Sequence, residues 1–135
     1  MKINQLLDGI EKFNLVLPEF QREYVWSKEQ AKQLMVSLLK GYPVGGLLFW
    51  ETNEPPELKN LDVPPEKLGN INVILDGQQR LTTLYLLANG HIPPYYRPMD
   101  INNDPRDLYF HLGENDFQYY HRSYAVERKT SRIVE

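Results

Sequence analysis

Val73-Ile74-Leu75-Asp76-Gly77-Gln78-Gln79-Arg80-Leu81-Thr82-Thr83-Leu84-Tyr85-Leu86-Leu87 reads as a short apolar strand, a tight turn and a helix. The turn carries chemistry as well as fold. The first amides of a helix have no intrahelical partner and lie at the positive end of its dipole. Gly77 permits close approach to the backbone. Gln78, Gln79 and Arg80 add amide and guanidinium donors in the first turn. Such a place suits a phosphate or another anion. Asp-Gly between strand and helix also fits ordinary capping, with Asp76 accepting a backbone amide. The two readings conflict, because a carboxylate at the cap repels a phosphate. They are reconciled if Asp76 holds a divalent metal that bridges to phosphate, or points at a ribose. Both stand at this point.

On the N-terminal side, Ile3, Leu6, Leu7 and Ile10 carry a helical period. Asn14 to Leu17 reads as a brief strand ended by Pro18, and Glu19 to Trp26 as a polar and aromatic connection. Ser27 and Gln30 form a capping box, followed by Ala31, Leu34, Met35, Leu38 and Leu39 on one helical face. Gly41 and Pro43 end that helix. Gly45 to Glu51 reads as a buried strand, with Gly45-Gly46 as a bend. Residues 52–70 form a proline- and charge-rich loop, an insertion or a mobile flap. The next strand covers Asn72 to Leu75, and the helix 78–89 closes at Asn89-Gly90. Residues 91–105 are loop, and Leu108 to Leu112 is strand-like. Gln118 to Val126 is either a strand or the start of a helix. The order α-β-α-β-β-α-β predicts an α+β fold, a small mixed sheet with packed helices.

Composition sets outer limits. With 135 residues, the chain is a single domain, expected to be the N-terminal fragment of a longer protein because it stops without a turn. A net charge of −3 gives no overall basic footprint for DNA. Cysteine is absent, which excludes disulfides, thiolate metal sites and thiol catalysis. No apolar run approaches the ~20 residues of a membrane span, and no secretory leader is visible, so a cytoplasmic protein without membrane contact is expected.

Phe20-Gln21-Arg22 is a second candidate. Arg22 either meets a phosphate or a base, or pairs on the surface with Glu19 or Glu23. Tyr24 and Trp26 fit packing better than base stacking. His91, His111 and His121 have no metal-ligand spacing and are read as surface or interfacial. No P-loop pattern is present. Arg122, Arg128, Lys129 and Arg132, interleaved with Tyr119, Tyr120 and Tyr124, are read as a solvated helix or tail rather than a nucleic-acid surface.

Three motifs together resemble a known family: Leu17-Pro18-Glu19-Phe20-Gln21-Arg22-Glu23-Tyr24-Val25-Trp26, then Tyr42-Pro43-Val44-Gly45, then Ile74 to Leu84 around Asp76-Gly77-Gln78-Gln79-Arg80. In this order they resemble the N-terminal domain of GmrSD-type, modification-dependent (type IV) restriction systems, in the ParB/sulfiredoxin-like superfamily. The resemblance implies a domain that binds and hydrolyses nucleoside triphosphate with a divalent metal, magnesium being expected. It also implies prokaryotic anti-phage defence against modified or foreign DNA, with DNA met through the full-length protein. Carried over, Gly77, Gln78, Gln79, Arg80, Gln21 and Arg22 bind the nucleotide. Asp76, Gln78, Gln79, Arg80 and Arg22 are the catalytic candidates, and Asp76 is the metal ligand. An HNH-type nuclease domain or subunit is the expected partner, since no such motif is present here. A homodimer is left open. The alternatives are a non-catalytic, nucleotide-switched sensor of DNA or a partner, and a ParB-like nuclease domain.

Overall fold

The computed structural model describes residues 2–61, 69–119 and 131–132. Its elements are α1 (Ile3–Glu11), β1 (Leu15–Val16), α2 (Lys28–Lys40), β2 (Leu48–Thr52), β3 (Ile71–Asp76) and α3 (Gln78–Asn89). A 3-10 turn (Pro98–Asp100) and the strands β4 (Leu108–His111), β5 (Asp116–Tyr119) and β6 (Ser131–Arg132) follow.

The strands form two three-stranded sheets, β1-β3-β2 and β5-β4-β6, where one small sheet was expected. The α+β class stands. In the first sheet, β3 is central: β1 runs parallel to it and β2 antiparallel, with an irregularity between Leu48 and Phe49. Val73 and Ile74 point to opposite faces, and both are fully buried. On one side, Ile74 joins Leu6, Ile10, Tyr24, Leu81 and Tyr85 in the main core. On the other, Val73 packs with Val16 and Ile71, covered by Leu58 and Leu61. Burial on both faces explains why β3 reads as a continuous apolar run. The second sheet is tied to the helices through Leu87, Leu108 and Phe117, with Met35 and Val36 packed against them.

Local signals set the helix ends. Ser27 Oγ accepts from the Gln30 amide at 3.1 Å, and Gln30 Oε1 accepts from the Ser27 amide at 2.9 Å. That reciprocal pair starts α2, and Gly41 ends it in the left-handed conformation at φ 75°.

Several expectations are corrected. The strand expected over Gly45 to Glu51 begins only at Leu48, and it is an exposed edge rather than a buried strand. Leu48 is 56% exposed, because β2 lies at the margin of its sheet. Part of the expected 52–70 flap is anchored. The Glu19 amide donates to the Glu57 carbonyl, and the Lys59 amide to the Leu17 carbonyl, each at 2.8 Å. The 91–105 connection is likewise built into the body, since Tyr95 and Tyr96 are buried and Ile101 bridges to Tyr24. His111 is buried in β4, not superficial, and its Nδ1 accepts from the Glu114 amide at 2.9 Å. His91 is half-exposed beside Glu11. Gln118 and Tyr119 belong to a strand, paired antiparallel with β4. Arg132, read as part of a solvated helix or tail, lies instead in β6, antiparallel to β4 opposite Tyr109, while Tyr120, His121, Arg122, Tyr124, Arg128 and Lys129 lie outside the described residues.

Candidate functional site

The site forms where β3 ends and α3 begins. Asp76 is the last residue of β3, exposed, and paired in register with Leu48. It is not the helix cap. That place belongs to Gly77, and no side-chain hydrogen bond caps α3. The first helical bond runs from the Leu81 amide to the Gly77 carbonyl at 3.0 Å. The amides of Gln78, Gln79 and Arg80 therefore head the helix without an intrahelical acceptor. The Asp76 carboxylate therefore does not occupy those amides as a cap.

Gly77 is required on two counts. Its φ of 98° is left-handed, and a Cβ built there would lie 2.3 Å from Leu47 Cδ2. The close approach that glycine permits is thus made by the chain's own Leu47.

The two motifs meet through a chain of amides. Gln21 Nε2 donates to the Leu75 carbonyl at 3.0 Å and lies 3.4 Å from that of Ile74. Gln78 Nε2 donates to Gln21 Oε1 at 3.1 Å. Gln21 thus bridges the end of β3 and the start of α3.

Gln79 has a different task. Its Oε1 accepts from the Val25 and Trp26 amides at 2.9 and 3.2 Å, and its Nε2 donates to the Glu23 carbonyl at 3.0 Å. It holds the 23–26 backbone onto α3. Tyr24 anchors the same segment from beneath. It is fully buried, and its hydroxyl lies 2.8 Å from Thr83 Oγ1. Burial pushes its pKa up to about 12, against the lowering effect of the Thr83 hydrogen bond. The Tyr96 hydroxyl donates to the Arg22 carbonyl at 2.7 Å. Arg22 is fixed at its backbone while its residue stays exposed, and among the described residues no ion pair joins it to Glu19 or Glu23.

Arg80 reaches the other side, where its guanidinium donates to the Gly46 carbonyl. Gly45 lies so near that a Cβ there would sit 3.2 Å from Arg80 Nη1. The structure therefore joins the Gln21 and Gln78 side chains directly at the start of α3, while Gln79 and Arg80 bond away from them, to the 23–26 backbone and to Gly46. Sequence reasoning missed Leu47, Tyr96 and Thr83. Each acts through a distant partner, and no local spacing marks it.

Among the described residues no group of three or more His, Cys, Asp or Glu is placed to hold a metal ion. Asp76 is a single exposed carboxylate. That fits a cation held mostly by phosphates and water, as magnesium usually is, and not an all-protein cage. No helix among the described residues is long and apolar enough to cross a membrane.

Comparison with known proteins agrees with the motifs. An uncharacterized protein of Methanocaldococcus jannaschii is 31% identical over 137 residues, a match that covers 84% of this chain and 24% of that protein. The chain thus spans about a quarter of that relative's length. The family model described as GmrSD restriction endonuclease, N-terminal domain, matches residues 3–134. Nearly the whole sequence takes part in that match, and the chain belongs to the family of GmrSD restriction endonuclease N-terminal domains, a restriction-system domain.

Proposed function

We propose that the domain binds a nucleoside triphosphate at the 76–80 turn and hydrolyses it, within a longer restriction protein that acts on modified or foreign DNA. One observation carries the reading: the Gln78–Gln21 hydrogen bond joins the two motifs beside a helix start with no side-chain cap. Phosphate oxygens accept from the amides of Gln78 to Arg80. Arg80 and Arg22 offset charge that grows on the phosphoryl group. Gln78 takes the role of orienting the attacking water. Gln79 is a positioning residue, because its amide is committed to Glu23, Val25 and Trp26. Asp76, exposed and free of the capping role, is the residue that would hold a divalent metal. When bound, that metal supplies charge neutralisation at the phosphates. DNA and an HNH-type nuclease domain are the partners this reading assigns to the longer protein, whose working place is the cytoplasm.

A switch without turnover is favoured by one further observation. Arg80 is hydrogen-bonded to Gly46, so a phosphate would compete with the 45–46 connection for its guanidinium. Phosphate release separates the two readings. With magnesium and each of the four ribonucleoside triphosphates, hydrolysis predicts multiple turnovers, reduced at least tenfold in Gln78→Ala. Binding with no released phosphate leaves the switch.

A further inference from the structure

A groove of about 390 Å³ opens beside the turn, between α2 and the 43–44 connection. This volume lies within the roughly 300–1,000 Å³ usual for small-molecule sites. Its lining is of three kinds. Trp26 and Val44 give apolar surface; Gln33 and Ser37, one helical turn apart on α2, give hydrogen-bonding groups; Arg80 and Glu29 give charge. Gln33 Nε2 donates to Glu29 Oε1 at 2.9 Å, a bond that does not use the Gln33 amide oxygen.

The charges are segregated along the sequence elements. Arg80 comes from the first turn of α3, the proposed phosphate site, and Glu29 from the first turn of α2. A polyphosphate lying along this groove gains at Arg80 and loses at Glu29. A nucleoside lying there avoids that loss. Trp26 packs on the main core as its sequence setting suggests, yet it also lines the groove, so a nucleoside ring there can lie against it, with its edge toward Gln33 and Ser37 and its ribose hydroxyls toward Glu29. One orientation offers each of these groups a partner: phosphates at Arg80, nucleoside along α2.

We propose that this groove is the nucleoside subsite for the nucleotide whose phosphates meet the 77–80 turn, with Gln33 and Ser37 reading the base edge. The proposal rests on the phosphate reading of the turn, yet it makes a separate claim: affinity must depend on the nucleoside as well as on the phosphates.

The test compares nucleoside triphosphates with inorganic tripolyphosphate, both with magnesium. The chain has two tryptophans, so a Trp50→Phe protein reports fluorescence from Trp26 alone. Nucleotide should quench that signal saturably, and tripolyphosphate should bind by calorimetry without quenching. Gln33→Ala should weaken its preferred nucleotide about tenfold, the scale of one net hydrogen bond, with tripolyphosphate affinity unchanged. Equal affinity for nucleotide and tripolyphosphate overturns the subsite while the phosphate reading survives. So does a Gln33→Ala protein that binds every nucleotide like wild type. No binding of either nucleotide or tripolyphosphate is a different failure: it removes the phosphate reading, and the subsite with it.

Discussion

Two connections converge on the start of α3, and they are built in opposite ways. The 18–27 connection is clamped from three directions: Gln79 holds its backbone at Glu23, Val25 and Trp26, Tyr24 is sunk in the core, and Tyr96 holds the Arg22 carbonyl. The 41–47 connection lies mostly in solvent, with Tyr42 59% exposed. It meets the site through Leu47 above Gly77 and the Gly46 carbonyl on Arg80. One wall of the site is fixed by its own hydrogen bonds. The other is held by contacts that a ligand can replace. A site of this kind keeps one side preorganised while the other yields.

Truncating an anchor should therefore cost far more in the first connection than in the second. Tyr24→Ala is expected to lose about 3–5 kcal/mol, the range for deleting a large buried aromatic. Tyr42→Ala should stay within about 0.5 kcal/mol, as exposed positions do. Urea denaturation of both variants checks this, and equal losses would break the comparison.

Gln79→Ala comes next. It removes three hydrogen bonds to loop backbone, at about 0.5–1.5 kcal/mol each, so a loss of roughly 2–3 kcal/mol is expected. Amide hydrogen exchange should speed up at Val25 and Trp26 and not at Leu47.

Gly77→Ala should cost about 1–3 kcal/mol through its left-handed φ, with the Leu47 clash added. Combining it with Leu47→Ala relieves the clash and leaves the backbone strain. Full recovery in the double variant would mean that φ matters little here.

The last effect is with pH and develops only gradually. Tyr24 is raised from 10.0 to about 12 when folded, chiefly by burial. Its contribution is complete below pH 10.0 and is lost as pH rises through about 12, since the unfolded tyrosine ionises first. One such group supplies at most about 1.4 kcal/mol per pH unit. Tyr95 and Tyr96 are raised as well, each chiefly by burial, so Tyr24→Phe should flatten the alkaline loss of stability without abolishing it.

What was legible in the sequence was local. The capping box at Ser27, the glycines ending α2 and α3, and the apolar run of β3 all act within a few residues, and they stand as read. What was not legible depended on tertiary neighbours. An apolar run cannot say whether its strand is central or at an edge, so β2 was read as buried. His111 has no motif around it, and its burial in β4 appears only in the fold. Asp76 looked like a helix cap because Asp-Gly so often is one, and only the left-handed turn at Gly77 moves the cap one residue on. The motifs singled out the candidate residues, but Gln79's place as a clamp on the 23–26 backbone needed the 54-residue separation between it and Val25 to be closed by the fold.

On the proposed reading, the two motifs form one phosphate site at the start of α3. Calorimetric titration of magnesium nucleoside triphosphates into wild type and Arg80→Ala tests it most directly. A phosphate site there gives saturable binding by wild type, weakened at least tenfold in Arg80→Ala, while both proteins unfold at similar urea concentrations. Equal binding by the two proteins, or none by wild type, would contradict it.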